Sequence, residues 1–553
     1  MLTHPATRYR PVPPVDLPDR HWPSRVTVAP PIWCAVDLRD GNQALATPMS
    51  PEQKKRFLKL LRRIGLKEIE VGFPAASRDD FDFVRAAVAI QAEDPEWTLQ
   101  VLTQARKEII ERTFEALKGA RRAIVHLYNS TSPVQRRVVF GMDQAGIIAL
   151  ARQGAEWVKA CAARQPETEW IFEYSPESFS ATEPEFALAI CAAVCQVWQP
   201  TPQHKVILNL PATVEVASPN HYADQIEWFH RHFPMREAVI LSVHPHNDRG
   251  CAVAAAELAM LAGAERVEGT LFGNGERTGN VDLITLALNL YTQGIATGLD
   301  FSSMDEIVAC YEQTTDQTVP IRHPYAGERI FTAFSGSHQD AIRKGLAVWR
   351  AQGGWWEVPY LPLDPAEIGR GYEGVIRVNG QSGKAGVAEL AQRRLGFPLP
   401  RRLQGEFAQV VQGVAEGNRG EMLADQVAEL FEQTYLRPAG TLAYVTHRCD
   451  QTGDDPDRPA RMRLTLKDGH QPIEYTGEGN GPIDACLQAF PQPWRLWHYE
   501  EHALDPGSAA AAVALIELES PQGIRAFGMG RHSDIVTAAI LAVIAAMNRA
   551  TFA

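Results

Sequence analysis

The chain is short of positive charge. Its 54 Lys and Arg stand against 66 Asp and Glu, a formal net charge of −12 over 553 residues. No basic stripe offsets that deficit, so a polyanion bound through release of its counterions is excluded as the main business, and nucleic acid is not an expected partner. Long apolar runs are also missing. The longest, Ile535 to Met547, falls short of the roughly 20 residues that span a bilayer. The opening stretch, MLTHPATRYRPVPP, lacks the apolar segment of a secretory signal. The eight cysteines are dispersed, with no Cys-x-x-Cys pair and no zinc-ribbon spacing. Cys191 and Cys195, four apart in an apolar helical stretch, read as buried structural thiols. These absences describe a soluble, reduced, cytoplasmic protein with no membrane partner.

What is present is globular. Hydrophobic residues make up 45% and charged residues 22%, far from the composition of disordered chains. The length suggests about three to five domains, or one large barrel with attachments. Residues 1–31, rich in Pro and Arg, read as an extended arm. Then a rhythm begins. Short runs that read as buried strands occur at 31–38, 67–73, 97–103, 122–128, 169–175, 205–210, 238–244 and 266–272, separated by segments of helical periodicity. Eight strands alternating with helices predict an α/β fold, a closed (β/α)8 TIM barrel over residues 32–300. A doubly wound open sheet also alternates, but no Gly-x-Gly-x-x-Gly follows the first strand.

The rhythm stops after residue 300. Residues 301–433 read as a helical linker region, broken by the loop GGWWEVPYLPLDPAEIGRGY (353–372). From 434 to 553 the texture predicts a C-terminal α+β domain of two strand-rich half-repeats. Each half runs through strands into an expected Gly-x-Gly turn, at Gly477–Gly479 and Gly528–Gly530, and then into an apolar helix. Such a module usually binds or assembles.

Barrel chemistry comes from the C-terminal strand ends. Strand 1 runs into Asp37-Leu-Arg39-Asp40-Gly-Asn-Gln43, strand 4 holds His126, strand 5 holds Glu173, and strand 6 is followed by Thr213. Strand 7 ends in His244-Pro-His246, and strand 8 leads to Glu276 and Asn280 in GNGERTGN. Imidazoles two apart on an extended segment project to one side. With a carboxylate such as Asp40 and an amide oxygen such as Asn280, they make a divalent metal site with positions open for substrate. The bland alternative is a coincidental His-x-His. Arg39 can face a developing oxyanion or a substrate carboxylate, or form a structural salt bridge. His126 and Glu173 can equally complete a hydrogen-bonded layer of the interior.

The segments DLRDGNQAL, EVGFP, HPHNDRG and LFGNGERTGN, the arm YRPVPPVDLPDRHWPS and the stretch GRGYEGVIRVNGQSGKAG (369–386) resemble the 2-isopropylmalate synthase family of the DRE-TIM metallolyase superfamily. The half-repeats resemble its leucine-binding regulatory domain. The resemblance implies an acyltransferase that condenses acetyl-CoA with 3-methyl-2-oxobutanoate and water to give 2-isopropylmalate and CoA, the committed step of leucine synthesis, with leucine as feedback effector. It implies Asp40, His244 and His246 as ligands of Mg2+, Mn2+ or Zn2+, Asn280 as a weaker ligand, and K+ as an activator. Arg39 matches the catalytic arginine. Glu173, His126 and Thr213 match the oxo-acid pocket, and Glu276 matches the glutamate of the GNGER loop. His338 and Tyr372 match a proton-moving pair that reaches the barrel mouth from the linker of the partner in a homodimer. Homocitrate and citramalate synthases would share the metal and acetyl-CoA. A related aldol lyase has no need of the C-terminal module, and a silent leucine sensor has no need of Arg39, Asp40, His244 and His246 together.

Overall fold

The computed structural model describes residues 1–553 other than 334, 371–396, 419–421, 423, 451–458, 470, 505–510 and 553. They form two compact units, one of residues 1–330 with 365–370, the other of residues 331–364 with 371–553.

The first unit is built on the expected barrel. Strands β1 (Ile32–Ala35), β2 (Glu68–Gly72), β3 (Thr98–Gln104), β4 (Arg122–Ser130), β5 (Glu169–Glu177), β6 (Val206–Ala212), β7 (Val239–Pro245) and β8 (Arg266–Gly269) close in sequence order. Every neighbouring pair is parallel, and β1 returns onto β8 with Ile32 opposite Arg266. The helix Pro51–Ile64 shows why the sequence alternates so cleanly. Ser50 accepts from the Gln53 amide while the Gln53 side chain accepts from the Ser50 amide, a capping box worth about 1 kcal/mol. Pro51 opens the helix, and Gly65, at φ 109°, ends it where a side chain would strain the backbone. Its inner face buries Phe57, Leu58, Leu61 and Ile64. The helix Met304–Thr315 lies back on it, with the Phe57 and Tyr311 rings 6.3 Å apart, so residues just past 300 fold with the barrel.

The arm is fastened rather than loose near its end. Arg20 grips Asp224 through two bonds of 2.7 and 2.8 Å, and Glu227 accepts from the amides of His21 and Trp22. Both acids belong to the helix Pro219–His232.

Barrel interiors usually fill with branched apolar side chains. Here alternate residues of the strands bring charged and polar groups inside: Glu70 on β2, Gln100 on β3, Glu173 on β5, Arg266 and Glu268 on β8, all fully buried. Arg266 donates to Glu68 (2.6 Å), Gln100 (2.6 Å), Ser242 (2.9 Å) and Glu268 (2.9 Å). A buried guanidinium is tolerated because its donors are met in this way.

The second unit contains the helices Gly336–Gln352, Arg401–Asn418 and Ala424–Phe431 and two antiparallel sheets. One has the order β11 (Gln471–Gly479), β10 (Ala460–Asp468), β9 (Leu442–Asp450); the other β12 (Arg495–Ala503), β13 (Ala512–Glu519), β14 (Arg525–His532). Each last strand leads into a helix, Pro482–Gln488 or Ile535–Phe552, as the half-repeat reading expects. Strand β13 is buried on both faces: Val513 and Leu515 pack on Phe407 and Phe431, while Ala514, Ile516 and Leu518 pack under the helix Ile535–Phe552.

The Gly-x-Gly segments differ from expectation. They are not turns but the ends of β11 and the middle of β14. A Cβ on Gly528 would lie 2.3 Å from the Ala542 carbonyl oxygen and the Ala546 nitrogen, and one on Gly477 2.3 Å from the Ala485 carbonyl oxygen. The glycines let the helix backbone seat against the strand, a use of glycine that sequence does not distinguish from a turn. No described helix is long and apolar enough to cross a membrane. Cys191 and Cys195 are fully buried, as read.

Candidate metal centre and substrate cavity

Strand β1 ends in a π-helical turn, Asp37–Gly41, that turns Arg39 and Asp40 into the barrel mouth. Strand β7 delivers His244 from its penultimate position, and His246 follows it, bridged in backbone to Asn280. The result is a triad of buried donors, Asp40, His244 and His246, whose ligand atoms lie within 4.8 Å of one another. The two Nε2 atoms stand 3.5 and 3.8 Å from Asp40 Oδ2, a buried oxygen with no hydrogen-bond partner among the described residues. Two imidazoles and an unclaimed carboxylate oxygen converging on one point suit a divalent cation better than they suit one another. Asn280 Oδ1 lies 2.7 Å from His244 Nε2, which places the weaker ligand beside the same point.

Arg39 bridges two carboxylates, donating to Glu70 Oε2 at 2.6 Å and to Asp40 Oδ1 at 2.9 Å. Burial opposes the charge on Asp40, but Arg39 and the two histidines hold its carboxyl well below the usual range. Burial likewise opposes protonation of His244, yet Asp40 and Glu268 raise it to about 10. His246, buried beside His244, is pushed down to about 4.

Above the triad opens a cavity of about 340 Å³. Arg39, Asp40, His126, Thr213, His244, His246 and Glu276 line it, joined by Phe73, Leu102, Tyr128, Ser175, Asn209, Pro211 and Arg277. His126 Nε2 meets Ser175 Oγ at 2.7 Å, and Thr213 Oγ1 accepts from the Ser178 amide at 2.9 Å. Glu276 accepts from Gln43 at 2.7 Å, and Arg277 ties Asp248 to the Thr213 carbonyl, so the strand-8 loop is pinned across the mouth.

One expected residue of the barrel lies outside the cavity lining. Glu173 sits in the interior layer, 3.6 Å from His126 and 3.5 Å from Arg266, and is absent from the cavity lining. Burial and the neighbouring Glu268 carboxylate push its carboxyl well above the usual range, which favours its neutral form. His338 is exposed in the second unit on the helix Gly336–Gln352, its ring stacked on Tyr360 at 4.0 Å. Tyr372 falls outside the described residues.

Sequence reasoning missed Glu70 and Glu268 as parts of this site. Their signal was a charged residue at alternate positions of otherwise apolar strands, KEIEVGF and RVEGTLF.

A closed parallel barrel with this donor set at its C-terminal mouth defines a class, the metal-dependent barrels of the HMGL-like family, whose profile matches residues 30–310. A profile described as alpha-isopropylmalate synthase, post-catalytic domain-like, matches residues 328–392, and one described as LeuA allosteric (dimerisation) domain matches residues 421–551. A 2-isopropylmalate synthase of Ralstonia nicotianae is 53% identical, with 99% of this chain and 96% of that one covered. One of Pseudomonas entomophila is 52% identical, covering 99% and 98%. The chain belongs to the 2-isopropylmalate synthase family. Among solved structures, the hydroxymethylglutaryl-CoA lyase of Pseudomonas aeruginosa overlays 52% of this chain and 94% of that one at 19% identity and a TM-score of 0.43.

Proposed function

We propose that this chain catalyses the condensation of acetyl-CoA with 3-methyl-2-oxobutanoate and water, releasing 2-isopropylmalate and CoA. The observation that carries the proposal is the convergence of Arg39, Asp40, His244 and His246 at the mouth of a barrel whose full-length relatives bear that activity's name. Asp40, His244 and His246 hold the cation, with Asn280 as the adjoining weaker ligand. Mg2+, Mn2+ or Zn2+ fits two imidazoles and a carboxylate. Bound there, the cation supplies Lewis-acid polarisation of a keto oxygen.

The remaining steps belong to the protein. Arg39, rigid between Glu70 and Asp40, faces the oxygen where negative charge develops and stabilises it without reorganising. Thr213 and His126 orient the oxo acid, Glu173 backs His126 from within, and Glu276 steadies the strand-8 loop. Phe73, Leu102 and Pro211 give the cavity an apolar wall for a branched alkyl group. The cavity's two arginines are already paired, Arg39 with Glu70 and Arg277 with Asp248, which disfavours the second carboxylate of a 2-oxodicarboxylate. The family resemblance supports the partner subunit's His338 as the group that takes the methyl proton of acetyl-CoA, with the partner's Tyr372 on the proton path.

We further propose that the C-terminal module binds leucine in a cytoplasmic homodimer and lowers activity, which requires leucine to favour one enzyme state over another. Purified protein stripped of metal and given acetyl-CoA with a panel of 2-oxo acids, with and without Mg2+, Mn2+, Zn2+ and K+, tests the reading by release of CoA thiol. Metal-dependent release with 3-methyl-2-oxobutanoate, reduced by leucine, is expected. Preference for pyruvate or 2-oxoglutarate would reassign the substrate, and insensitivity to leucine would reduce the C-terminal module to assembly.

A further inference from the structure

His244 and His246 are not equivalent. His246 Nδ1 is buried with no hydrogen-bond partner among the described residues, whereas His244 Nδ1 lies 2.8 Å from Glu268 Oε2. Glu268 is fully buried at the end of a chain of contacts that the reaction outlined above does not use. Its Oε2 also accepts from Asn209 Nδ2 at 2.9 Å, and its Oε1 accepts from Gln100 Nε2 at 2.8 Å and Arg266 Nη1 at 2.9 Å. Three fixed donors therefore point at this carboxyl group, with His244 Nδ1 against the same oxygen as Asn209. These donors, with the Arg266 guanidinium among them, favour the carboxylate, and against a carboxylate oxygen His244 Nδ1 is the fourth donor.

We infer that Glu268, held by Arg266, is a positioning residue that sets the cation affinity of the barrel mouth by accepting from His244 Nδ1 and so presenting the Nε2 lone pair to the cation. The inference rests on the reading of Asp40, His244 and His246 as the ligand set. A metal-bound imidazole is oriented and made more basic by the group that accepts from its other nitrogen. Arg266 supplies the charge that keeps the carboxylate in the interior, and its bonds to Glu68, Gln100 and Ser242 tie it to three further strands. The ligand's orientation is thereby coupled to closure of the barrel rather than to a loop.

Glu268→Gln probes this with little change of shape. Glutamine has one acceptor oxygen, so in either orientation its amide NH2 confronts two of the four donors. The full-length protein is stripped of metal and titrated with Mn2+, free Mn2+ being read by its EPR signal, while circular dichroism and a thermal melt report the fold. Glu268→Gln is expected to raise the Mn2+ Kd on the order of 10–100-fold. If that variant does not fold, Glu268→Asp keeps the charge but draws it away from Nδ1, and the same direction is expected. The decisive comparison repeats Glu268→Gln in a His244→Ala background. A residue acting through His244 has little further effect there, whereas a merely structural one weakens Mn2+ binding equally in both backgrounds. An unchanged Kd in folded Glu268→Gln, or equal losses in both backgrounds, overturns the inference while leaving the ligand set standing. Absence of Mn2+ binding by the unaltered protein overturns both.

Discussion

Removing Arg39 should separate two roles that the structure gives one side chain. Its guanidinium is 11% exposed and pairs with a Glu70 carboxylate that is fully buried. Arg39→Met leaves that carboxylate in the interior with no cation beside it, a loss on the order of 3–5 kcal/mol. At about 2–4 °C per kcal/mol for a domain of this size, the barrel's melting temperature should fall by roughly 6–20 °C. Arg39→Lys restores a charge near Glu70, so most of that stability returns. An ammonium is a point charge, however, and cannot span Glu70 and Asp40 as the fork does. Its turnover should stay lower on the order of 10²–10³-fold, the usual cost of losing a preorganised donor at a developing oxyanion. Melts by circular dichroism and kcat by CoA release give the two readings on the same samples. Near-normal turnover in Arg39→Lys would refute the oxyanion role. Equal stability of the Met and Lys variants would refute the view that Glu70 depends on the charge.

Three other outcomes are expected. Gly528→Ala places a methyl against the backbone of the helix Ile535–Phe552, so a melt should show a loss of about 1–3 kcal/mol in the C-terminal unit, with Mn2+ binding at the barrel unaltered; no shift would contradict the seating role. Cys34, Cys161, Cys191, Cys195, Cys310 and Cys486 are buried, so a thiol reagent on the native chain should label the partly exposed Cys251 and Cys449 first, which peptide mapping would check. His230 is held below its ordinary value by burial and by Arg236, whose Nε donates to its Nδ1 at 2.9 Å. The unfolded chain therefore takes up that proton first, so the contribution is full above about 6.5 and is lost as pH falls towards the lower folded value. His230→Gln should flatten that part of the stability profile, and an unchanged slope in urea melts would contradict it.

The barrel was legible because each strand's run of buried residues is bounded by a helix with its own start signals, as at Ser50 and Pro51. The donor triad was legible because His-x-His and Asp40 fall at strand ends, where a barrel collects chemistry. The support beneath it was not. Strands buried on both faces do not reveal in sequence which side chains share a layer, so the sequence pattern does not single out Arg266, Gln100, Glu70 and Glu268 as one cluster. Glycine's two uses were confused at Gly477 and Gly528 because a turn and a close helix approach both need the missing Cβ. The stack of His338 on Tyr360 joins a helix to a distant loop, a pairing that local pattern cannot supply.

The most direct test of the account is the identity of the carbon product. The metal-loaded protein, given 3-methyl-2-oxobutanoate and acetyl-CoA carrying 13C at both acetyl carbons, should yield 2-isopropylmalate that retains both labels, with one CoA thiol released for each molecule formed. Thiol release accompanied only by labelled acetate, or no release at all with this oxo acid, would contradict the assignment of the barrel mouth as a condensing site.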